Sequence, residues 1–459
     1  MSPSSTLTPG QRLQVTIERL VFQGDGLGRL PDGRVIFVPY TAPGDVAEVE
    51  IAEARSDFVR GRLGRLLTPA ADRAAPPCRY YERCGGCQWQ HLSHASQLYW
   101  KREILQELLA RVGKLEGISV ADPVTPAAPW EYRARAQFKV SGGNRPSIGF
   151  HQRETNRVVD IERCPLLDHR LNSILAALRA MKHPPLARLF PGLREIWMAL
   201  GSGTGEAVVS LFAGVRERAA IRLLFHTIQA ALPTLQGVVL LQGDPRQHPR
   251  FVDRHGHGAI MEQVGDHRFR IDATAFFQVS GAAAALLTAL VMELAALRGS
   301  ERVLDLYCGV GTFTVPLSRR AREVVGIEAS AAAAVDCVHN LRSNGCGGAR
   351  TLHAQVEQVR PTILTEGPWD LVVLDPPRQG VSRLVLDAIA STAVPRLIYV
   401  SCDPSTLARD LGILSRAGFR CVSLHPVDLF PQTFHLEAVA LLERMPAPAT
   451  SGLSVNRNP

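Results

Sequence analysis

The chain has 459 residues, 46% of them apolar, and a formal net charge of +8. This length predicts about two to four domains, and the absence of any run of about 18 apolar residues argues against a membrane partner. An odd number of cysteines, nine, and an N-terminus without the features of a secretory signal argue against a secreted disulfide framework. A cytoplasmic protein is expected.

The excess positive charge is concentrated in the middle of the chain. Residues 101–270 hold 24 Lys and Arg against 16 Asp and Glu, whereas the flanking parts are close to neutral. A cationic region beside a neutral one suits a phosphate-rich polymer such as RNA. On composition alone, a solvated basic surface with no partner fits equally well.

Residues 8–68 are predicted to form a small all-β unit. Apolar or alternating segments of strand length, such as Val35–Val38, are separated by turn residues, such as Pro31-Asp32-Gly33. A five-stranded barrel of this size can bind oligonucleotides. Length and turns alone also fit many other small barrels.

A cysteine motif follows the barrel. Cys78, Cys84 and Cys87 have the spacing Cys-x5-Cys-x2-Cys, with Gly85-Gly86 as a tight turn before the last cysteine. Cys164 is the best candidate for a fourth ligand, because proline follows it as in many cluster loops. The spacing fits tetrahedral zinc as well as an iron–sulfur cluster.

The rest of the central region, residues 75–270, combines helical and strand-like patterns. A helix is predicted over residues 93–112, and many basic residues occur between residues 125 and 270. From residue 271 to 446, helices alternate with short apolar segments. That alternation is typical of a mostly parallel, doubly wound α/β sheet.

The first strand of that sheet leads into a glycine loop, Asp305-Leu-Tyr-Cys-Gly309-Val-Gly311, and the second strand ends at Glu328. The glycines allow a ligand to approach the backbone closely. A carboxylate at the end of the second strand can accept hydrogen bonds from the ribose hydroxyls of a nucleoside. The third glycine of a dinucleotide site is missing. S-adenosylmethionine has no phosphate to bind, so the shorter loop suits that cofactor.

Cys402 follows a buried strand-like segment and precedes Asp403-Pro404, which places it at the catalytic end of a strand. A thiolate there can add to carbon 6 of uracil and so activate carbon 5 for methylation. Glu437 is the candidate base for the carbon-5 proton. A single strand-end cysteine is more often a small buried apolar residue, and that interpretation is given to Cys308, Cys337, Cys346 and Cys421.

Together these residues resemble the RNA uracil-carbon-5 methyltransferase family. The resemblance is greatest to the 23S ribosomal RNA members that carry an N-terminal TRAM barrel and an iron–sulfur cluster. Its most specific motifs are Phe276-Phe-Gln278-Val, the glycine loop, Asp375-Pro-Pro-Arg378, Ser401-Cys402-Asp-Pro, and the segment from Asp428 to Glu437.

The resemblance implies a TRAM or OB-like barrel at 8–68, a central α+β domain at 75–270, and a Rossmann-like class I S-adenosylmethionine-dependent methyltransferase domain at 271–446. Residues 447–459 are expected to be a disordered tail. By the same likeness, Cys402 is the nucleophile and Glu437 the general base. The residues expected to line the cofactor and uracil pocket are Gln278, Tyr307, Gly309, Glu328 and Asp375. The residues expected to hold a 4Fe–4S cluster are Cys78, Cys84, Cys87 and Cys164.

The chain departs from the family pattern at two positions. Ser280 replaces the usual Asn in Phe-Gln-Val-Asn, and Thr312 stands where several relatives have Asn. Both bear on contacts near the cofactor, and neither removes a group that the mechanism requires.

The expected partner is RNA, with 23S ribosomal RNA first and transfer RNA second, and the expected state is a monomer. Two other functions remain open. Asp-Pro-Pro-aromatic motifs also serve the methylation of exocyclic amines, and a non-catalytic iron–sulfur protein could bind RNA or act as a sensor.

Overall fold

The structure, a computed structural model, describes residues 7–126, 128–142, 146–181, 189–190, 192–214, 218–245, 249–359 and 366–446. The tail predicted at 447–459 lies outside these residues. In the part that is described, no helix combines the length and the apolar character needed to cross a bilayer.

The N-terminal unit is a closed barrel with the strand order β1-β2-β3-β5-β4, which confirms the predicted five-stranded barrel. Alternate residues such as Val15, Ile17 and Ile36 fill its interior. Gly61 is required on β5, because a Cβ atom there would lie 2.2 Å from Val49 Cγ1. The strands are β1 (Arg12–Leu20), β2 (Gly26–Arg29), β3 (Val35–Val38), β4 (Val46–Ala54) and β5 (Phe58–Thr68).

The central unit is built on a seven-stranded sheet in the order β12-β11-β10-β9-β6-β7-β8. Two helices, α2 (His169–Ala180) and α3 (Arg218–Ala231), pack against one face of this sheet and form its core. The strands are β6 (Arg135–Ser141), β7 (Ser147–His151), β8 (Val158–Asp160), β9 (Glu195–Leu200), β10 (Ala207–Phe212), β11 (Leu235–Gln242) and β12 (Arg250–Gly256). A two-stranded hairpin, β13 (Ala259–Val264) and β14 (His267–Asp272), follows.

The C-terminal unit has the sheet order β17-β16-β15-β18-β19-β21-β20. Its first five strands are parallel, and β21 pairs antiparallel with both β19 and β20. This order confirms the predicted doubly wound sheet. The strands are β15 (Arg302–Leu306), β16 (Glu323–Glu328), β17 (Ala349–His353), β18 (Leu371–Leu374), β19 (Arg396–Ser401), β20 (Phe419–Val427) and β21 (Glu437–Arg444). The helices that follow the hairpin are α4 (Gly281–Ala295), α5 (Thr314–Ser318), α6 (Ala331–Ser343), α7 (Arg383–Ser391) and α8 (Pro404–Arg416).

Residues 94–124, which the sequence grouped with the central unit, pack against the C-terminal unit instead. Helix α1 (His94–Leu108) continues into a π-helical turn (Leu109–Gly113), and its apolar residues join the core around α8. Val120 and Val124 then form bridges to β20. The apolar face of α1 needs a partner surface, and sequence periodicity cannot say which sheet provides it.

A buried ion pair fixes α1 to the loop that precedes Glu437. Lys101 Nζ lies 2.6 Å from Asp428 Oδ1, both side chains are fully buried, and Nζ also donates to the Phe430 carbonyl at 3.1 Å. Burial alone would raise the pKa of Asp428, but Lys101 holds that pKa below its ordinary value. One turn earlier, the Gln97 side chain accepts from the Gln432 backbone N–H at 2.8 Å. Helix α1 thus shapes the loop from residue 428 to 436.

Replacement of Lys101 by Met would leave the Asp428 carboxylate buried without its cation. We expect a loss of about 3–5 kcal/mol in the free energy of unfolding, measured by urea denaturation. The matched control is Arg102→Ala, on the same helix as Lys101, which breaks the exposed ion pair between Arg102 and Asp122 and should cost under about 1 kcal/mol. Equal losses in the two variants would contradict the structural role of the buried pair.

Candidate active site

The carboxyl end of β19 and the start of β21 bring Cys402 and Glu437 together. Ser401 lies opposite Ala438 in this antiparallel pair, so the next residues, Cys402 and Glu437, continue the same register. Glu437 is 2% exposed and Cys402 is partly buried. The two predicted catalytic side chains are therefore neighbours at one edge of the sheet.

The surroundings of Cys402 favour its neutral thiol form. Burial raises its pKa to about 12, with the Glu437 and Asp375 carboxylates adding to the shift and the Arg378 guanidinium opposing it. The pKa of Glu437 is itself raised well above its usual range, first by burial and then by Asp375. Arg378, to which the sequence analysis gave no role within its motif, is thus a cation close to both Cys402 and Glu437.

The local sequence explains why Cys402 lies at a helix N-terminus. Asp403 caps α8, because its side chain accepts the backbone N–H groups of Ser405 and Thr406, each at 3.0 Å. Pro404 suits the first helical turn, where its missing N–H costs nothing. The partial positive charge of this helix end favours a thiolate at Cys402.

Cys402 lines a cavity of about 250 Å³ whose walls come from all three units. Phe22 belongs to the barrel region, Arg153 to the central unit, and Arg378 and His435 to the C-terminal unit. Burial and the nearby Arg378 lower the pKa of His435 to about 3, so its ring is neutral. Phe22 and Arg153 carried no sequence signal, because only the tertiary fold brings them to this cavity.

The glycine loop folds over the carboxyl ends of β15 and β16. Tyr307 and Gly309 both have left-handed backbone, with φ of 65° and 56°, and Gly309 N–H donates to Glu328 Oε2 at 2.9 Å. A Cβ atom at Gly311 would lie 2.9 Å from Cys337 Sγ, so this position requires glycine. The loop and Glu328 are thus fixed to one another.

Four carboxyl groups gather at this edge of the sheet, which we call the carboxylate edge and which comprises Asp305, Glu328, Asp375 and Glu437. Burial raises the pKa of Asp305 to about 7, with Glu328 adding to the shift, and burial and Asp305 raise that of Asp375 to about 7. Asp305 accepts from Thr314 Oγ1 at 2.6 Å, and its other oxygen is buried without a partner in the described part of the chain. A bound cation would relieve this mutual repulsion.

Gln278 lies in the loop before α4, where it is buried and its backbone carbonyl accepts from Arg135 Nε–H at 3.2 Å. Ser280 is the N-cap of α4, and its side chain accepts from Ala283 N–H at 3.2 Å. Asn and Ser are both good N-caps. The departure from the family pattern at Ser280 therefore preserves the start of the helix.

The four predicted cluster cysteines lie around one larger cavity of about 570 Å³, which we call the cysteine cavity and which is lined by Cys78, Cys84, Cys87 and Cys164. Burial raises the pKa of Cys84 to about 11, and the neighbouring thiols add to the shift. The pKa of Cys164 is also raised by burial, with the Arg133 guanidinium opposing the shift. Among the described residues, no three or more His, Cys, Asp or Glu side chains are grouped as ligands of a metal ion.

Alkylation of Cys402 with iodoacetamide should become about tenfold faster per pH unit between pH 8 and 10, because the thiolate fraction rises by that factor below a pKa of about 12. Arg378→Gln should slow the reaction several-fold, because it removes the cation that opposes the raised pKa. Peptide mass spectrometry measures the rates. Cys421, whose pKa is raised to about 11 by burial alone, is the internal reference.

Arg378→Lys retains the positive charge and should restore most of the Cys402 alkylation rate. An equal slowing of Cys402 and Cys421 in Arg378→Gln would indicate a general structural change and contradict the electrostatic explanation.

Comparison with known proteins identifies the family. Residues 93–445 match the tRNA (uracil-5-)-methyltransferase family, and residues 6–63 match the TRAM domain. An uncharacterized RNA methyltransferase of Thermosynechococcus vestitus is 34% identical over 446 residues, which cover 94% of this chain and 98% of the relative. One of Gloeobacter violaceus is 35% identical over 450 residues, covering 95% and 98%.

A solved structure has the same fold over nearly the whole chain. It is the tRNA (uracil-54, C5)-methyltransferase of Pyrococcus abyssi in complex with S-adenosyl-L-homocysteine, with a TM-score of 0.73 and 24% identity, covering 94% of this chain and 100% of that one. The family match covers the C-terminal unit and the central unit from residue 93 onward, and the TRAM match covers most of the barrel. The chain therefore belongs to the tRNA (uracil-5-)-methyltransferase family of RNA-modifying enzymes.

Proposed function

We propose that this protein methylates carbon 5 of uracil in RNA, with S-adenosylmethionine as the methyl donor and 23S ribosomal RNA as the first substrate. The observation that carries the proposal is the register of β19 and β21, which makes Cys402 and Glu437 neighbours. Family membership supports the same reaction class.

The carboxylate edge suits the proposed cofactor. S-adenosylmethionine carries its methyl group on a positively charged sulfur. A positively charged ligand would reduce the repulsion among the four carboxyl groups of the carboxylate edge. We assign Glu328 to the ribose hydroxyls and Gly309 to close backbone approach, with Gln278, Tyr307 and Asp375 completing the pocket. S-adenosyl-L-homocysteine in the Pyrococcus abyssi structure, which has the same fold, supports this class of cofactor.

Cys402 begins the proposed reaction. Its thiol loses its proton to solvent, the resulting thiolate bonds to uracil carbon 6, and the electrons of the 5,6 double bond pass into an enolate over carbon 5 and the carbon-4 oxygen, which makes carbon 5 nucleophilic. Arg378 and the N-terminus of α8 stabilise the thiolate. A cation at the carboxylate edge would offset the charges that raise the pKa of Cys402, so we expect the thiol to ionise more readily once the cofactor is bound.

Glu437 completes the proposed reaction. Carbon 5 bonds to the methyl group as the bond between that methyl and the donor sulfur breaks. Glu437 then removes the carbon-5 proton, the 5,6 double bond re-forms, and the Cys402 sulfur leaves carbon 6. A carboxylate with a raised pKa is a stronger base than an exposed one.

A uracil has to leave its stack in the RNA to reach the cavity of about 250 Å³ that Cys402 lines.

We also propose that Cys78, Cys84, Cys87 and Cys164 hold a 4Fe–4S cluster. Four thiols around one cavity are the donor set of such a cluster, and the positive charge of Arg133 beside Cys164 favours ligation as thiolates. Zinc takes the same donors and remains the alternative. The cluster would join the loop before α1 to the loop before α2, and no step of the proposed reaction passes through it.

Transfer RNA is the second candidate substrate. The resemblance noted in the sequence favours 23S ribosomal RNA, but the Pyrococcus abyssi enzyme is named for transfer RNA, and its fold covers 94% of this chain. Because that coverage includes most of the barrel, the presence of a barrel does not by itself distinguish enzymes that act on transfer RNA from those that act on ribosomal RNA.

The function is tested by tritium release from 5-tritiated uridine in 23S ribosomal and transfer RNA transcripts, assayed side by side. We expect release from ribosomal RNA that requires S-adenosylmethionine, because methylation replaces the carbon-5 hydrogen. Release from transfer RNA alone would retain the reaction and change the substrate. No release from either RNA, with metal-loaded protein, would contradict the proposal.

Cys402→Ala should abolish both turnover and the covalent protein–RNA adduct, because no sulfur remains to add to carbon 6. Glu437→Gln should slow turnover by about 10²- to 10⁴-fold and accumulate an adduct visible on denaturing gels. Cys421→Ala, on β20 of the same sheet, is the control and should behave as wild type. Full activity in Cys402→Ala would favour the methylation of an exocyclic amine, which needs no thiolate.

Protein purified without oxygen should be brown and contain iron, and serine at any of the four cluster cysteines should remove both the colour and the iron. Cys421→Ser should keep them. Iron analysis and visible absorption measure the outcome. A colourless wild-type protein that contains zinc would overturn the cluster proposal.

A further inference from the structure

The loop that carries Arg378 lies against α8, the helix that begins two residues after Cys402. This loop, which we call the arginine loop, comprises residues 376–381 between β18 and α7. Arg378 itself is exposed, and its Nη2 lies 3.5 Å from His435 Nε2, a separation too long for a strong hydrogen bond. The position of its guanidinium therefore depends mainly on the backbone of the arginine loop.

Two polar side chains of α8 donate hydrogen bonds to the backbone of the arginine loop. Thr406 Oγ1–H donates to the Arg378 carbonyl at 3.1 Å, in a bond shared with the Asp403 carbonyl at 3.2 Å. Arg409 Nη2–H donates to the Gln379 carbonyl at 2.9 Å. Helix α8 thus holds two consecutive carbonyl groups of the loop, one of which belongs to Arg378.

A third residue of α8, Asp410, holds the end of the arginine loop and is fully buried. Its Oδ2 accepts the backbone N–H of Val381 at 2.9 Å and the hydroxyl of Tyr399, on β19, at 2.7 Å. Its Oδ1 accepts Arg409 Nε–H at 2.8 Å. Hydrogen bonds to a charged group are among the strongest in proteins. The loop, the helix and the strand that leads to Cys402 are therefore joined at one carboxylate.

Gly380 shows how closely the arginine loop approaches α8. Its backbone is left-handed, with φ of 75°. A Cβ atom at this position would lie 2.6 Å from Arg409 Nη2 and 2.6 Å from Asp410 Oδ2. Any other residue here would be strained and would push the loop away from the two side chains that hold it. The glycine therefore allows the hydrogen bonds between the loop and the helix.

Cys402 and Arg378 thus depend on the same helix. Cys402 lies directly before the N-cap of α8, and Arg378 opposes the raised pKa of the Cys402 thiol from the loop that α8 holds. The effect of one charge on the pKa of another group depends on their separation. The carboxyl groups that favour the protonated thiol are those of Glu437, Asp375 and Asp403. The position of Arg378 decides how strongly they are opposed.

We propose that Thr406, Arg409 and Asp410 are positioning residues that hold Arg378 within reach of the Cys402 thiol. They act through the backbone of the arginine loop and contact no reacting atom. Without their hydrogen bonds we expect the loop to move toward solvent, where water screens the guanidinium charge. For its role in catalysis the inference rests on the proposed function, which it extends from the reactive pair to the helix behind it.

Alkylation of Cys402 by iodoacetamide tests the inference with the full-length, metal-loaded protein and no RNA, and the Cys421 rate in the same sample is the reference. Thr406→Val removes the hydroxyl and keeps the shape of the side chain. At about pH 9 it should slow the Cys402 reaction about threefold, which corresponds to roughly half a pKa unit. Thr406→Ser keeps the hydroxyl and should restore the wild-type rate.

A double-mutant cycle with Arg378 separates a positioning role from a general structural one. Arg409→Met should slow the Cys402 reaction about as much as Thr406→Val, but in the Arg378→Gln background it should slow it no further, because the cation is already absent. Arg416→Met makes the same substitution at an exposed arginine in the last turn of α8. This control should react as wild type. Thr406→Val takes the place of Arg409→Met in the cycle if the latter does not fold.

The positioning role is overturned if Thr406→Val and Arg409→Met react at the wild-type rate, or if the slowing by Arg409→Met and that by Arg378→Gln simply multiply. Because the assay contains no RNA, its result is independent of methylation. Coupling in the cycle without tritium release from any RNA would reject the proposed function and retain the positioning role. Tritium release without coupling would reject the positioning role alone.

Discussion

The ion pair between Lys101 and Asp428 is the contact on which the candidate active site depends. It lies where α1 meets the loop that leads into β21, and that strand begins at Glu437. Two charges without exposed surface are stable only when each satisfies the other. The pair therefore fixes the loop in one conformation and, through the loop, the position at which Glu437 meets Cys402.

The charges around Cys402 favour the binding of a cation and disfavour ionisation of the Cys402 thiol. Burial raises the pKa of Cys402 and of the carboxyl groups around it, so these surroundings favour the protonated thiol in the free protein. Arg378 opposes this effect from one side, and the helix N-terminus after Asp403 opposes it from another. A thiol held neutral in this way is also less exposed to stray oxidation or alkylation.

Local patterns predicted the barrel, the doubly wound sheet and the residues at its carboxyl edge, because strand alternation, turn residues and the glycine loop are properties of short segments. The placement of α1 on the C-terminal unit was not predictable, since an apolar helix face does not specify its partner. Phe22 and Arg153 were missed for the same reason. Each becomes relevant only where separate units meet. The cluster cysteines could be grouped by spacing, but spacing does not distinguish the metal.

The junction of the barrel with the rest of the chain limits how the three units can be separated. Phe22 packs edge to face against Phe434 with ring centroids 6.1 Å apart, and Trp89 Nε1–H donates to the Gly24 carbonyl at 2.9 Å. The barrel is thus part of the wall around Cys402 and not a tethered arm. A fragment that lacks the barrel would lose Phe22 from the wall of the cavity that Cys402 lines and would leave the Phe434 ring without this partner, so the surroundings of Cys402 are complete only in the whole chain.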